Sequence, residues 1–192
     1  GVDCIVHLAG EPVSGSRWTA EKKRKIRNSR IDGTRNLVDS ILACDQRPKV
    51  LICASAVGYY GDRGDEILTE MSPPDSTFMA SLCVDSETEA QRATEGGIRV
   101  VNLRIGIVLD AETGALKQML PIFRWGVGGP LGRGMQWMSW IHLNDVVDLI
   151  QFVARNEHIE GPVNAVGPNP VTNHDFTKQL GSRLNRPTFF PV

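Results

Sequence analysis

A hydroxyl at the end of an apolar run is the first group in this chain that could act on a ligand. Ser55 follows the run at residues 49–54 and opens the segment Ser55-Ala-Val-Gly-Tyr-Tyr-Gly61. At a strand end, a hydroxyl can hydrogen-bond a substrate oxygen or position a proton donor. A loop serine bonded to its own backbone explains it equally well. Tyr59 and Tyr60 follow closely, and they are the only two tyrosines among 192 residues. Their plainer use is packing with one satisfied hydroxyl. His7-Leu-Ala-Gly10 ends an earlier apolar run. Small residues there let a flat ligand lie against the backbone, because glycine has no side chain in the way. For Ala9-Gly10 alone, a tight strand-to-helix turn is the simpler explanation. Arg30 lies at i+4 from Ile26, on the apolar side of its helix, where it can point toward the sheet edge. The basic residues before it, from Lys22 to Arg27, read as a solvated helix face.

Other patterns carry less. His142, in Trp140-Ile-His-Leu-Asn-Asp145, has an acidic residue at i+3 near a helix start, which suits a structural capping network better than catalysis. Trp137 and Trp140 sit in an apolar run and are expected to pack. The glycine-rich stretch 126–134 lacks the Gly-Lys-Ser/Thr ending of a phosphate loop and follows no strand, so it reads as a loop over a pocket. No His, Cys and carboxylate group has metal spacing, and no G-x-S-x-G elbow is present.

These residues need elements to hold them. Residues 3–8 and 49–54 read as buried strands. Thr19 caps a helix running to about residue 43, with a stripe of Ile26, Leu37, Val38, Ile41 and Leu42. Residues 58–76 are rich in Gly, Asp and Pro and form a loop, and a helix over 77–94 ends at Gly96-Gly97. A long strand is expected over 99–109, a helix over 115–125, and extended chain over 137–143. Asn144 is expected to cap a helix over 145–155, and a strand follows at 162–166. Asn173 is expected to cap a helix to about residue 184, and a last strand starts at 188–192. Strands alternating with helices predict an α/β fold, with a parallel, doubly wound sheet. Ligands of such sheets bind at the carboxyl ends of the strands, where Ser55, His7 to Glu11 and Arg104 to Gly106 fall.

Composition narrows the classes. Hydrophobic residues make up 41% and charged residues 22%, as in an ordinary globular domain. The 21 basic and 22 acidic residues give a net charge of -1, which argues against general nucleic-acid binding. No apolar run approaches a membrane span. Cys4, Cys44, Cys53 and Cys83 form no C-x-x-C pair and read as buried thiols of a reduced, cytoplasmic protein. The chain opens on Gly1 with a buried strand, as a piece of a longer chain would.

In combination, these segments resemble the extended short-chain dehydrogenase/reductase superfamily, of the NAD-dependent epimerase/dehydratase type. His7-Leu-Ala-Gly10, Gly33-Thr34, the Ser55 segment with Tyr60-Gly61, Leu103-Arg104-Ile-Gly106 and Ile141-His-Leu-Asn-Asp145 occur in that family's order. More narrowly, Gly10-Glu-Pro12, Arg17-Trp-Thr19, Ser29-Arg30, Gly128-Gly-Pro-Leu-Gly132 and Gln136-Trp-Met-Ser-Trp-Ile-His142 resemble an atypical branch labelled epimerase family proteins. Some of its members carry nucleotide-sugar epimerase or cell-division inhibitor labels.

The resemblance implies a Rossmann-like fold in one domain. Residues 1–113 and 136–168 would form the dinucleotide-binding core, and 114–135 with 169–192 a substrate lid. The family's first strands and glycine-rich turn would lie upstream of this sequence. Leu8, Ala9, Gly10 and Glu11 would flank the adenosine and ribose, Ser55 would lie near the nicotinamide, and Arg104, Gly106 and Ile107 would cover its far side. NADP(H) is the favoured cofactor and NAD(H) is possible. The expected partners are a small-molecule substrate and, in a possible homodimer, a second copy, with neither nucleic acid nor membrane. The family's Tyr-x-x-x-Lys pair is replaced: with Glu87 as anchor, Met79 stands where Tyr belongs and Cys83 where Lys belongs. Arg30 replaces the usual helix asparagine. The implied function is an NAD(P)-dependent oxidoreductase or epimerase with an unknown substrate. The alternatives are a dinucleotide-binding regulator with little turnover and a cell-division interaction protein. If chemistry occurs, Tyr59 or Tyr60 would be the acid, helped by Ser55 and Arg30.

Overall fold

Thr19 starts the first helix by accepting a hydrogen bond from the Lys22 amide, which satisfies one of the free N–H groups of the first turn. From there α1 runs over Ala20–Leu42. We describe a computed structural model in which residues 1–13 and 17–188 are placed. Before α1 comes strand β1 (Cys4–His7), and after it β2 (Val50–Ala56). β1 and β2 pair in parallel, with Cys4 opposite Val50 and His7 opposite Cys53. A single 3-10 turn, Val57–Tyr59, follows β2. Helix α2 (Phe78–Gln91) is capped by Thr77, passes into a 3-10 turn over Arg92–Gly96, and stops at Gly97, whose φ of 73° suits glycine. Strand β3 (Arg99–Ile105) comes next.

Beyond it lie β4 (Ile107–Leu109), α3 (Gly114–Arg124), β5 (Trp137–Met138), β6 (Trp140–His142), α4 (Leu143–Arg155), β7 (Gly161–Ala165), β8 (Val171–Thr172) and α5 (Asn173–Leu184). The main sheet is parallel, with strand order β1-β2-β3-β7. Its two faces can be told apart along β3, where neighbouring side chains point to opposite sides. Val100 joins Val38 and Ile41 of α1, Leu51 and Cys53 of β2, and Ala90 and Ala93 in one buried cluster. Arg99, one residue earlier, donates to the carbonyls of Val153, Ala154 and Ile159 at the end of α4. Helices therefore cover both faces, and the expected doubly wound α/β fold is present. A second cluster, Ile26, Ile31 and Leu82, fixes α1 against α2. Burying each such side chain contributes about 1.5–3 kcal/mol.

The chain divides into two compact units, one of Gly1–Gly61, Leu68–Arg104 and Ile150–Asn164, the other of Asp62–Ile67, Ile105–Leu149 and Ala165–Val192. In the second, β4 pairs in parallel with β6 and β5 antiparallel with β8.

Several local expectations are corrected. The strand expected over 99–109 breaks at Gly106, whose amide donates to Ala165 while Ile107 donates to Ser139. Asn144 does not cap α4. It lies inside the helix, and its amide donates to His142 Nδ1, so the histidine occupies the cap. Thr172, not Asn173, caps α5 by accepting from the Asp175 amide. Asn173 is turned inward instead: it accepts from the Leu131 amide and donates to the Met138 sulfur. Trp137 is 47% exposed, with its indole N–H donating to Asp65. Of the four thiols, Cys53 and Cys83 are buried, Cys4 is intermediate and Cys44 is exposed. The strand expected over 188–192 falls, from residue 189 on, outside the described residues.

Candidate functional site

At the carboxyl end of β1 the chain is open. Leu8 is 57% exposed, and Ala9 and Gly10 are exposed as well. Glu11 is then tied to α1 at three atoms. Its amide donates to Ser29 Oγ, its carbonyl accepts from Arg30 Nη2 at 3.2 Å, and its carboxylate takes Lys22 Nζ at 2.7 Å. The lysine hydrogen bond and its charge hold the Glu11 carboxyl below the usual range. A Cβ at Gly10 would stand 2.8 Å from Arg30 Nη1 and 3.0 Å from Cζ. The guanidinium thus lies across the glycine, and a side chain there would have to displace it.

Behind this edge His7 Nε2 lies 3.2 Å from Thr34 Oγ1, and Thr34 lies 3.5 Å from Ser86 Oγ. Burial, and then the Arg30 charge, hold the His7 imidazole below its ordinary pKa.

The ends of β2 and β3 meet α2 in a buried polar network. Ser55 donates to Glu87 Oε1 at 2.6 Å. Arg104, with 4% of its side chain exposed, binds both Glu87 oxygens, at 3.1 Å through Nε and 2.9 Å through Nη2. Its Nη1 donates to the Tyr60 hydroxyl at 3.0 Å and to the Glu70 carbonyl at 3.1 Å. Tyr60, buried, donates onward to Asn164 Oδ1 at 2.6 Å, and the Asn164 amide donates to Glu70 Oε1. The Tyr59 ring lies under the guanidinium, 3.4 Å from Cζ to its centroid, in the range of a cation–π contact. Burial alone would lower the Arg104 pKa. The hydrogen bonds to Glu87 and Tyr60, with the Glu87 charge, more than offset that and raise it.

The structure therefore gathers Ser55 and Arg104 around Glu87, with Tyr59 and Tyr60 against Arg104, and sets Gly10 and Glu11 against Arg30. Arg104 spends its side chain on protein partners, so only its backbone is left for a ligand. Gly106 and Ile107 belong to the second compact unit. A Cβ at Gly106 would lie 2.5 Å from the Ser139 carbonyl oxygen, a strand-to-strand constraint. At the family's Tyr and Lys positions, Met79 packs against the Ile26, Ile31 and Leu82 cluster, and Cys83 donates to the Ala56 carbonyl at 3.8 Å. Burial raises the Cys83 pKa, so its thiol supplies no charge.

Sequence reasoning missed Glu87 as a site residue, along with Asn164, Glu70 and the inward turn of Thr34. One signal was there. Arg104 stands in the buried run Val-Val-Asn-Leu-Arg-Ile, and a buried guanidinium must have a partner. Among the described residues, no three His, Cys, Asp or Glu side chains gather as metal ligands, and no helix is long and apolar enough to cross a membrane.

Residues 1–167 match the sequence profile of the NAD dependent epimerase/dehydratase family. The chain belongs to that family. Its full length is 43% identical to the chloroplastic epimerase family protein SDR39U1 homolog of Arabidopsis thaliana, of which it spans 55%. The structure of human epimerase family protein SDR39U1 with NADPH superposes with a TM-score of 0.94 at 32% identity, covering all of this chain and 66% of the human one. A nucleoside-diphosphate sugar epimerase of Corynebacterium glutamicum superposes with a TM-score of 0.78 at 37% identity, over 98% of this chain and 41% of that one. The chain thus spans less than two thirds of these epimerase/dehydratase relatives. The family fixes the Rossmann-like fold.

Proposed function

We propose that this chain forms the carboxyl-edge part of a dinucleotide site in an NADP(H)-dependent oxidoreductase or epimerase-type protein acting on a small molecule. The observation that carries the reading is the exposed backbone of Leu8, Ala9 and Gly10 at the end of a parallel strand, where this fold class receives ligands. The NADPH in the human structure supports NADP(H) over NAD(H). Leu8 to Glu11 would hold the adenosine side of the dinucleotide. Ser55 and the Arg104 backbone would approach the nicotinamide. When bound, the nicotinamide would supply hydride transfer.

A proton donor must then come from the chain. The Tyr60 hydroxyl already directs its hydrogen bond to Asn164 Oδ1. The Ser55 hydroxyl directs its own to Glu87. The Tyr59 hydroxyl makes no hydrogen bond among the described residues, so Tyr59 is the favoured acid, with Arg104 against its ring. Met79 has no proton to give, and Cys83 no positive charge to lend. That replacement favours a second reading, a cofactor-binding regulator with little turnover. Comparing hydride transfer in the parent, Tyr59→Phe and Tyr60→Phe separates the two. A large loss confined to Tyr59→Phe supports the enzyme. Brisk turnover surviving both changes removes the tyrosines from the account, and no turnover with bound cofactor supports the regulator.

A further inference from the structure

Two arginines stand at the carboxyl edge of the first compact unit, and they are treated in opposite ways. Arg104 directs its donors to Glu87, Tyr60 and Glu70. Among the described residues, Arg30 has one acceptor, the Glu11 carbonyl on Nη2. Its Nε is buried without a hydrogen-bond partner, and its Nη1 makes no hydrogen bond among the described residues. No described carboxylate lies within 4 Å of it, whereas Arg27, Arg35, Arg63, Arg92 and Arg104 each hold one. The undescribed residues 14–16 and 189–192 carry no acidic side chain.

A half-buried guanidinium without a counter-charge is costly, because the charge has lost water and gained nothing of opposite sign. The structural arginines of this chain fill more of their donors, Arg104 with Glu87, Tyr60 and Glu70 and Arg99 with three backbone carbonyls. The position is also specific. Nη1 lies over Gly10 on the open edge, and His7, which feels the guanidinium charge, brings no negative charge. The Glu11 carboxylate, on the residue whose carbonyl Arg30 holds, is turned away to Lys22, and Asp32, two residues on, pairs with Arg35.

We propose that Arg30 is an oxyanion-binding residue, which takes a carboxylate or phosphate oxygen of a bound small molecule through Nη1. A planar guanidinium binds such oxygens better than an ammonium, because its N–H groups form a fixed fork. The oxygen comes from one of two sources, an acidic substrate or a phosphate of the dinucleotide. The proposal does not depend on the dinucleotide reading, since it is tested with simple anions.

The experiment follows the side-chain Nε–H resonance of Arg30 in protein labelled with 15N-arginine. Inorganic phosphate and acetate are titrated against a sodium chloride control of equal ionic strength. The expected result is a saturable shift of the Arg30 resonance with phosphate or acetate and none with chloride. In Arg30→Gln, protection of the melting temperature by the same anion should weaken at least about tenfold. Repeating the titration with NADPH present assigns the source. Competition places a dinucleotide phosphate on Arg30, and unchanged anion binding leaves the residue to an acidic substrate. Failure of NADPH to bind would count against the proposed function alone. An Arg30 resonance that no oxyanion moves would overturn the proposal even if Arg30→Gln failed to fold.

Discussion

Removing the Arg104 guanidinium strands three acceptors at once: the Glu87 carboxylate, the Tyr60 hydroxyl and the Glu70 carbonyl. Both ionic partners are nearly enclosed, with side-chain exposures of 4% and 13%. Breaking such a pair from one side costs about 3–5 kcal/mol, because the remaining charge stays buried. Arg104→Met should lower the unfolding free energy by that amount in a urea titration. Adding Glu87→Met should recover part of the loss. A loss below about 1 kcal/mol for Arg104→Met would show the network to be ornamental. His7 gives a pH test. Its imidazole is held below 6.5 in the folded state, mainly by burial and then by Arg30. As pH falls below 6.5, the unfolded chain takes a proton that the folded one resists, so this contribution to stability is lost with acidification. The melting temperature of the parent should therefore fall more between about pH 7.5 and about pH 5.5 than that of His7→Asn. Equal slopes would mean that His7 titrates alike in both states.

At the scale of elements, two glycines make opposite predictions. Gly33 lies within α1, and a Cβ there meets nothing within 4 Å. Gly33→Ala should stabilise the protein by about 0.5–1 kcal/mol, since alanine loses less backbone freedom in a helix. A Cβ at Gly106 would press on the Ser139 carbonyl at 2.5 Å, so Gly106→Ala should cost about 1–3 kcal/mol as β4 is pushed off its neighbour. Thermal or denaturant unfolding of both variants checks the pair, and the same sign for both would refute the local geometry. The contrast also shows what could be read from the chain. The Thr19 cap, the α1 stripe and the glycine stop after α2 are local signals, and both helices form near their expected bounds. The break at Gly106 is set by a carbonyl 33 residues away, and nothing in Ile-Gly-Ile-Val-Leu announces it. Asn173 resembled a cap, but its side chain had long-range partners in Leu131 and Met138 that a local pattern does not contain. The candidate site was legible in the same uneven way. Ser55 and the tyrosines could be placed at a strand end. Glu87, which joins Ser55 to Arg104 across 32 and 17 residues, could not.

For the whole molecule, we propose that a parallel α/β core of this family holds NADP(H) on its open strand edge, although the usual Tyr and Lys are Met79 and Cys83. Fold and family follow from the profile match over residues 1–167 and the superposition on the human protein. The most direct measurement is a fluorescence titration of the purified protein, at its full natural length, with NADPH and with NADH. The account predicts saturable binding of one NADPH per chain, tighter than NADH, and undiminished in a Met79→Leu, Cys83→Ala double variant, because those side chains contribute no charge or proton. Saturation by neither nucleotide would contradict it.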